Sequence, residues 1–333
     1  MPKKILITGG AGFLGGRAAK HFASIPDIYK VVATSRRAIR RRELENAGCQ
    51  FREGDLLDID FCHSITSGVE VVVHCAALSS PWGKYDDFYK SNVKATQNLL
   101  KACQNQGVKR FVFIATPSIY FNYKKRLNVK ESDPLPSKIV NDYALTKLQA
   151  ENEVLAANSA KFETLALRPR AIIGAEDTVI FPRVIKAHEA GKLKIVGSGK
   201  TLSDLTSVRN VIEAIELAMN SGKESLGRTY NITNDEPIRL WDKVNDVLEA
   251  LDYPRVEKNV PAAVALLAAR IQEWRHRSFS PDKEPELTRY GVGILCKSLT
   301  MDITLAKELL SYRPIQTTDE GLQEFVTWKK AKK

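Results

Sequence analysis

No stretch of the chain stays apolar over the roughly 18 residues needed to cross a bilayer, which sets aside an integral membrane protein. Cysteine is scarce: Cys49, Cys62, Cys75, Cys103 and Cys296 follow neither a disulfide framework nor a zinc-ligand spacing. No secretory leader precedes the first apolar run, so reduced thiols in a cytoplasmic compartment are expected, and no metal. Internal repeats and low-complexity linkers are missing too. So is an acidic excess: Lys and Arg number 50 against 39 Asp and Glu, a net charge of +11. Such a balance suits an anionic cofactor or an acidic substrate, and without a nucleic-acid motif no nucleic-acid partner is expected. What is present is 333 residues with 44% hydrophobic content, enough for one large domain or two intimate ones.

The N-terminal Lys4-Ile5-Leu6-Ile7-Thr8 runs straight into Gly9, Gly10, Gly12 and Gly15, and Arg17-Ala18-Ala19-Lys20-His21-Phe22 continues as a helix. A strand, a glycine turn and a helix start in that order form the setting for a dinucleotide pyrophosphate. The glycines let backbone approach it closely, and its charge meets the helix N-terminus. Gly9, Gly12, Phe13, Leu14 and Gly15 are the candidate contacts of this turn. The next apolar run ends in Ser35-Arg36-Arg37, with Arg40, Arg41 and Arg42 close behind. An NAD site usually places a carboxylate there to accept from the ribose 2′-hydroxyl, whereas a hydroxyl and guanidinium groups suit a 2′-phosphate. Ser35 and Arg36 therefore point to NADP, with NAD as the alternative.

Strands are expected at 4–8, 30–35, 48–52, 70–75, 110–115, 163–169 and 228–232, with helical stretches between them long enough for crossovers. The expected class is α/β, a doubly wound parallel sheet (Rossmann) with a smaller, discontinuous C-terminal substrate domain. The dinucleotide-binding part spans 1–170 with 204–235 returning to it; 171–203 and 236–333 form the substrate-binding region. Asp55 and Leu56 follow the third strand, where Asp55 can accept from an adenine amino group, and Ala76 and Ala77 leave room after the fourth. His74, at that strand's end, reads as structural.

Asn141-Asp142-Tyr143-Ala144-Leu145-Thr146-Lys147 places a phenol and an ammonium one helical turn apart. A free tyrosine loses its proton at about pH 10, and a fixed cation beside it lowers that value toward the working range. Tyr120 and Lys124 share the spacing, but Tyr120 follows a Pro117-Ser118 turn among aromatics and reads as packing. Thr116, at the end of the fifth strand, can hydrogen-bond a substrate carbonyl, and Ser118 is a second candidate.

Together these residues resemble the extended short-chain dehydrogenase/reductases, the NAD-dependent epimerase/dehydratase superfamily, over nearly the whole chain. Pro81-Trp82-Gly83-Lys84-Tyr85, Ala115-Thr116-Pro117-Ser118, Leu167-Arg168-Pro169-Arg170 and Glu284-Pro285-Glu286-Leu287-Thr288-Arg289 are similar to the 3β-hydroxysteroid dehydrogenase branch, and most like bacterial 2-alkyl-3-oxoalkanoate reductases. The resemblance implies Tyr143 as proton donor or acceptor and Lys147 as the group that binds the nicotinamide ribose and acidifies it. It also implies Thr116 as the residue that positions the carbonyl, Asn92 as a structural asparagine, and a homodimer formed through the Tyr143 helix. Ser207-Val208-Arg209-Asn210 departs from relatives that carry an aspartate before the asparagine.

The implied reaction interconverts a ketone and a secondary alcohol by hydride transfer. The strongly apolar stretch 260–274, turning basic at Arg275-His276-Arg277, can roof a substrate tunnel, lie peripherally on a membrane, or be an ordinary core or dimer helix. With the resemblance it points to a lipid-like substrate, a long-chain 2-alkyl-3-oxo acid or a 3-oxo/3β-hydroxy steroid. Arg168, Arg170, Arg183 and Arg209 are unranked candidates for a substrate carboxylate. The alternatives are a nucleotide-sugar epimerase with tightly bound NAD and a noncatalytic NADP-sensing regulator.

Overall fold

Ile5, Leu6 and Ile7 are all fully buried, as a central strand covered by helices on both faces requires. In the computed structural model, which describes residues 1–332, this strand is β1, Lys3–Thr8. Lys333, the last residue of the region expected to hold substrate, lies outside the described residues. The chain continues through β2 (Tyr29–Ser35), β3 (Gln50–Glu53), β4 (Val71–His74), β5 (Arg110–Ile114), β6 (Glu163–Pro169) and β7 (Thr229–Ile232). They form one sheet in the order β3-β2-β1-β4-β5-β6-β7, and every pairing is parallel. The doubly wound sheet is the expected one. The third strand starts two residues later than the sequence suggests, because Gly48, at φ +92°, still belongs to the turn that ends the preceding helix.

Successive strand residues serve opposite faces. Ile5, Ile7, Val31, Val71, Val73 and Val112 join one core cluster with the Phe13–Ala23 and Val208–Asn220 helices. Leu6, Val32, Val72, Phe111 and Phe113 join the other, with the Ala95–Asn105 and Asp142–Ala156 helices. Truncating Leu6 to Ala would open a cavity costing about 2–5 kcal/mol. The strand order reverses between β1 and β4, so a crevice opens beyond their carboxyl ends, and ligands of open α/β sheets bind there.

Outside the sheet, a cluster around Phe181, Leu205, Phe325 and Val326 and another around Val196, Trp241, Leu248 and Ala269 carry the remaining core. A four-stranded sheet of Ile238–Arg239, Leu202–Ser203, Leu299–Met301 and Arg126–Val129, in that order, ties the loop after β5 to the C-terminal elements. Among the described residues no helix is long and apolar enough to cross a membrane, and no group of His, Cys, Asp and Glu could hold a metal ion. All five cysteines are free.

Candidate active site

The glycine turn is built by steric necessity. Gly9 sits at φ +73°, and a Cβ there would lie 2.9 Å from the Ala76 backbone nitrogen. A Cβ on Gly15 would lie 2.4 Å from the Gly9 carbonyl oxygen, so neither position accepts a side chain without displacing backbone. The Phe13–Ala23 helix starts at Gly12 with no side-chain cap and no acidic residue in its first turn. Its N-terminus is left for an external anion, which fits a dinucleotide pyrophosphate.

Ser35 closes β2, half-buried, and Arg36 and Arg37 beyond it are exposed. Neither arginine has an ion-pair partner among the described residues, unlike Arg40, which is held by Glu43 and Glu176. The Gly54 amide donates to the Ser35 carbonyl at 3.1 Å, which sets the Asp55 loop beside the end of β2. Asp55 Oδ1 accepts from the Leu57 amide at 3.0 Å, and Leu56 is buried. Past β4, Ala76 donates its backbone N–H to Thr8 Oγ1 at 3.0 Å, and Ala77 is exposed. His74 is locked between Thr8 Oγ1 at 2.7 Å and Thr96 Oγ1 at 3.0 Å. Burial pushes its pKa down to about 3, so it is a neutral structural imidazole.

Asn141 caps the Asp142–Ala156 helix by accepting from the Ala144 amide at 2.8 Å, which fixes the register of the turn carrying Tyr143. Asn92, in a π-helical turn at Tyr89–Lys94, accepts from the Leu78 amide at 2.7 Å and donates to Thr146 Oγ1 at 3.1 Å. It thereby pins the loop after β4 to the Tyr143 helix. Thr116 and Ser79 lie beside the Tyr143 phenol and favour its ionised form. Thr116 Oγ1 donates to Ser118 Oγ at 3.1 Å, and Ser118 Oγ meets the Tyr290 hydroxyl at 2.8 Å. A chain of three hydroxyls, Thr116, Ser118 and Tyr290, thus runs from the sheet edge to the C-terminal elements.

Lys147 lies one turn on from Tyr143, buried, with its Nζ 3.9 Å from the Phe113 ring centroid. The expected acidification of the phenol is corrected here. Burial raises Tyr143 above its ordinary value, opposed by the Thr116 and Ser79 hydroxyls beside it. Burial also drives Lys147 down to about 7, so the cation that was to lower the tyrosine is itself strained toward neutrality. The reason is common to both: they share a dry crevice in which every charged form is penalised.

The structure therefore brings together Thr116, Ser118, Tyr143 and Lys147 and sets the glycine turn against Ala76, while Ser35, Arg36 and Asp55 gather at the ends of β2 and β3. Ser79 and Tyr290 were missed by sequence reasoning. Ser79 was within reach of it as a strand-end hydroxyl in the manner of Thr116, but Tyr290 arrives from a distant segment by tertiary packing alone.

This fold and constellation define a nicotinamide-dependent oxidoreductase of the extended short-chain dehydrogenase/reductase class. Residues 6–262 match the model of the 3-beta hydroxysteroid dehydrogenase/isomerase family, and the chain belongs to that family. It is 33% identical over 332 residues to the uncharacterized protein YbjS of Escherichia coli (strain K12), covering 98% of this chain and 97% of the relative. It is 33% identical to a 2-alkyl-3-oxoalkanoate reductase of Stenotrophomonas maltophilia, covering 96% of this chain and 97% of the relative. A crystal structure of UDP-glucuronic acid 4-epimerase from Bacillus cereus in complex with NAD superposes with a TM-score of 0.76. That match, at 24% identity over 98% of this chain and 99% of the other, speaks for the fold alone.

Proposed function

We propose that the protein is an NADP-dependent reductase that interconverts a ketone and a secondary alcohol on a lipid-like substrate, a long-chain 2-alkyl-3-oxo acid in the first place and a 3-oxo/3β-hydroxy steroid in the second. The observation that carries this reading is the Tyr143 phenol, flanked by Thr116 and Ser79 one turn before the buried Lys147. The identity to a 2-alkyl-3-oxoalkanoate reductase over nearly the whole chain supports the substrate class.

When bound, the nicotinamide cofactor supplies or takes up the hydride. Gly9, Gly12, Phe13, Leu14 and Gly15 would hold its pyrophosphate, Asp55 and Leu56 its adenine, and Ala76 and Ala77 its central backbone. Ser35 and Arg36 would receive the 2′-phosphate, and Tyr143 and Lys147 the nicotinamide ribose. Tyr143, whose raised pKa keeps it protonated at neutrality, delivers its proton to the ketone oxygen. Thr116 donates to the same oxygen and steadies the charge that develops there. In the reverse direction Tyr143 acts as the phenolate and takes the alcohol proton.

A carboxylate-bearing substrate needs a cation, and the four candidate arginines differ. Arg168 is locked to Glu151, Arg183 to Glu284 and Arg209 to Glu324. Arg170, which follows β6, is buried, makes no ion pair within 4.0 Å among the described residues although its charge acts on the buried Asp204, and leaves its Nε unsatisfied. It is the arginine we assign to the substrate carboxylate. The reading also takes 1–170 with 204–235 as the cofactor domain, 171–203 with 236–333 as the substrate region, and a homodimer formed through the Tyr143 helix in a reducing compartment.

The test is absorbance and mass spectrometry of purified protein, followed by assay of long-chain 2-alkyl-3-oxo acids and sterols with NADPH. Exchangeable NADPH and turnover of either lipid class support the proposal. Retained NAD with inert lipids would move the assignment to a nucleotide-sugar epimerase, and NADP binding with no turnover to a noncatalytic sensor.

A further inference from the structure

Tyr290 stands where the hydroxyl chain leaves the interior. Its helix, Arg289–Cys296, is capped by Thr288, which accepts from the Gly291 amide at 3.0 Å, and Glu273 takes the Arg289 amide at 2.7 Å. A Cβ on Gly293 would lie 2.9 Å from the Phe121 and Tyr123 rings, so the helix rests directly on them. Tyr290 is one turn earlier, on the same face. Its ring meets Phe121 edge to face at 5.7 Å between centroids, and its hydroxyl lies 2.8 Å from Ser118 Oγ. Thr116 and Ser118 are buried, whereas Tyr290 is half-buried. The chain thus links the dry floor of the site to a residue at the solvent boundary.

His74 and Lys147 offer no such path. His74 is closed between Thr8 and Thr96. Lys147 Nζ faces the Phe113 ring and makes no hydrogen bond among the described residues. Thr116 differs from both. Its Oγ1 accepts the Ser118 amide at 3.2 Å, donates to Ser118 Oγ at 3.1 Å, and lies beside Tyr143. A hydroxyl both gives and takes a proton. Rotation about the C–O bonds therefore aligns the three groups from Thr116 to Tyr290 or from Tyr290 to Thr116.

We propose that Tyr290, Ser118 and Thr116 form a proton wire that recharges Tyr143 after each ketone reduction. The wire rests on the reaction proposed above. There Tyr143 gives its proton to the ketone oxygen and is left as a phenolate, which burial disfavours. Tyr143 is half-buried, and the substrate it protonates takes up its open side. Once the alcohol has formed, the Thr116 hydroxyl turns to the phenolate and hands over its proton. Thr116 takes one from Ser118, Ser118 takes one from Tyr290, and Tyr290 takes one from water. The shift is concerted, so no alkoxide stands on Thr116 or Ser118. One proton passes from solvent to Tyr143, and no hydroxyl is consumed. For alcohol oxidation the wire runs backward.

Stopped-flow and steady-state assays of NADPH oxidation test the wire, with the ketone turned over best among long-chain 2-alkyl-3-oxo acids and 3-oxo steroids. Tyr290→Phe keeps the ring on Phe121 and removes only the hydroxyl. The first turnover uses the proton already on Tyr143 and is expected to stay within about twofold of the parent, while steady-state kcat falls about threefold at unchanged KM. Added imidazole, a mobile proton donor at neutral pH, is expected to restore kcat of the variant and to leave the parent unchanged. Ser118→Ala should show the same pattern, and Ser118→Thr, which returns the hydroxyl, should not. Parental kcat in both hydroxyl-free variants overturns the inference. So does a loss that first and later turnovers share and imidazole does not repair, which is the mark of a structural role. Those outcomes leave the reading of Tyr143 in place. A parent that reduces neither class of ketone, or a Tyr143→Phe variant with full turnover, removes that reading and the wire with it.

Discussion

Tyrosine precedes lysine by four residues twice in this chain, at Tyr143–Lys147 and at Tyr120–Lys124. In the first pair both residues lie on one long helix, with the lysine buried and the phenol beside hydroxyls at the carboxyl edge of the sheet. In the second, the 3₁₀ turn Pro117–Tyr120 ends before the lysine, and Lys124 is exposed. Tyr120 is fully buried, takes a hydrogen bond from Arg168, and is pushed up to about 12 by burial. Spacing alone does not make a catalytic pair. It becomes one when a helix keeps the register and the strand ends supply partners.

Exchanging the chemistry of the two tyrosines breaks the comparison most sharply. Tyr143→Phe is expected to lower kcat roughly a thousandfold while weakening NADPH binding by no more than about fivefold, read by steady-state kinetics and fluorescence titration. Tyr120→Phe is expected to do the reverse: turnover persists, and denaturation loses about 1–3 kcal/mol because Arg168 loses an acceptor.

Lys147→Met should cost roughly a hundredfold in kcat and should also alter the pH dependence of stability. The lysine sheds its proton near 7 in the fold and at 10.5 in the unfolded chain. Between those values the unfolded state binds more protons, so stability of the cofactor-free protein rises with pH across the window. The methionine variant should show a flatter profile in urea melts from pH 6 to 10; an unchanged slope would mean Lys147 is not the titrating group.

Replacing Arg36 by Ala is expected to reduce the preference for NADPH over NADH about tenfold, measured as the ratio of kcat/KM values. Tyr290→Phe should be milder, within about fivefold in rate. Lys124→Ala should leave rate and stability within about 0.5 kcal/mol of the parent, and a larger loss would erase the contrast between the pairs.

Much of this was legible because it is local. β1, β4 and β5 carry apolar runs of three or four residues between turn signals, and the glycine turn announces itself through residues that tolerate no side chain. The four-stranded sheet of Arg126–Val129 with Leu202–Ser203 was not legible, since two to four residues carry no periodicity and the pairing spans distant segments. The π-helical turn that places Asn92 has no sequence signature. Tyr290 reaches Ser118 only after the C-terminal helices have packed. The pKa of Lys147 escaped for a related reason: its spacing is written in the sequence, but its burial over Phe113 is a property of the assembled core.

A crystal structure of the protein with NADPH is the most direct measurement. It should show the pyrophosphate at Gly9–Gly15, the 2′-phosphate at Ser35 and Arg36, and the nicotinamide ring against Tyr143 and Lys147. A nicotinamide bound away from those two side chains, or a Tyr143 turned to solvent in the complex, would remove the tyrosine from the chemistry and with it the assigned reaction.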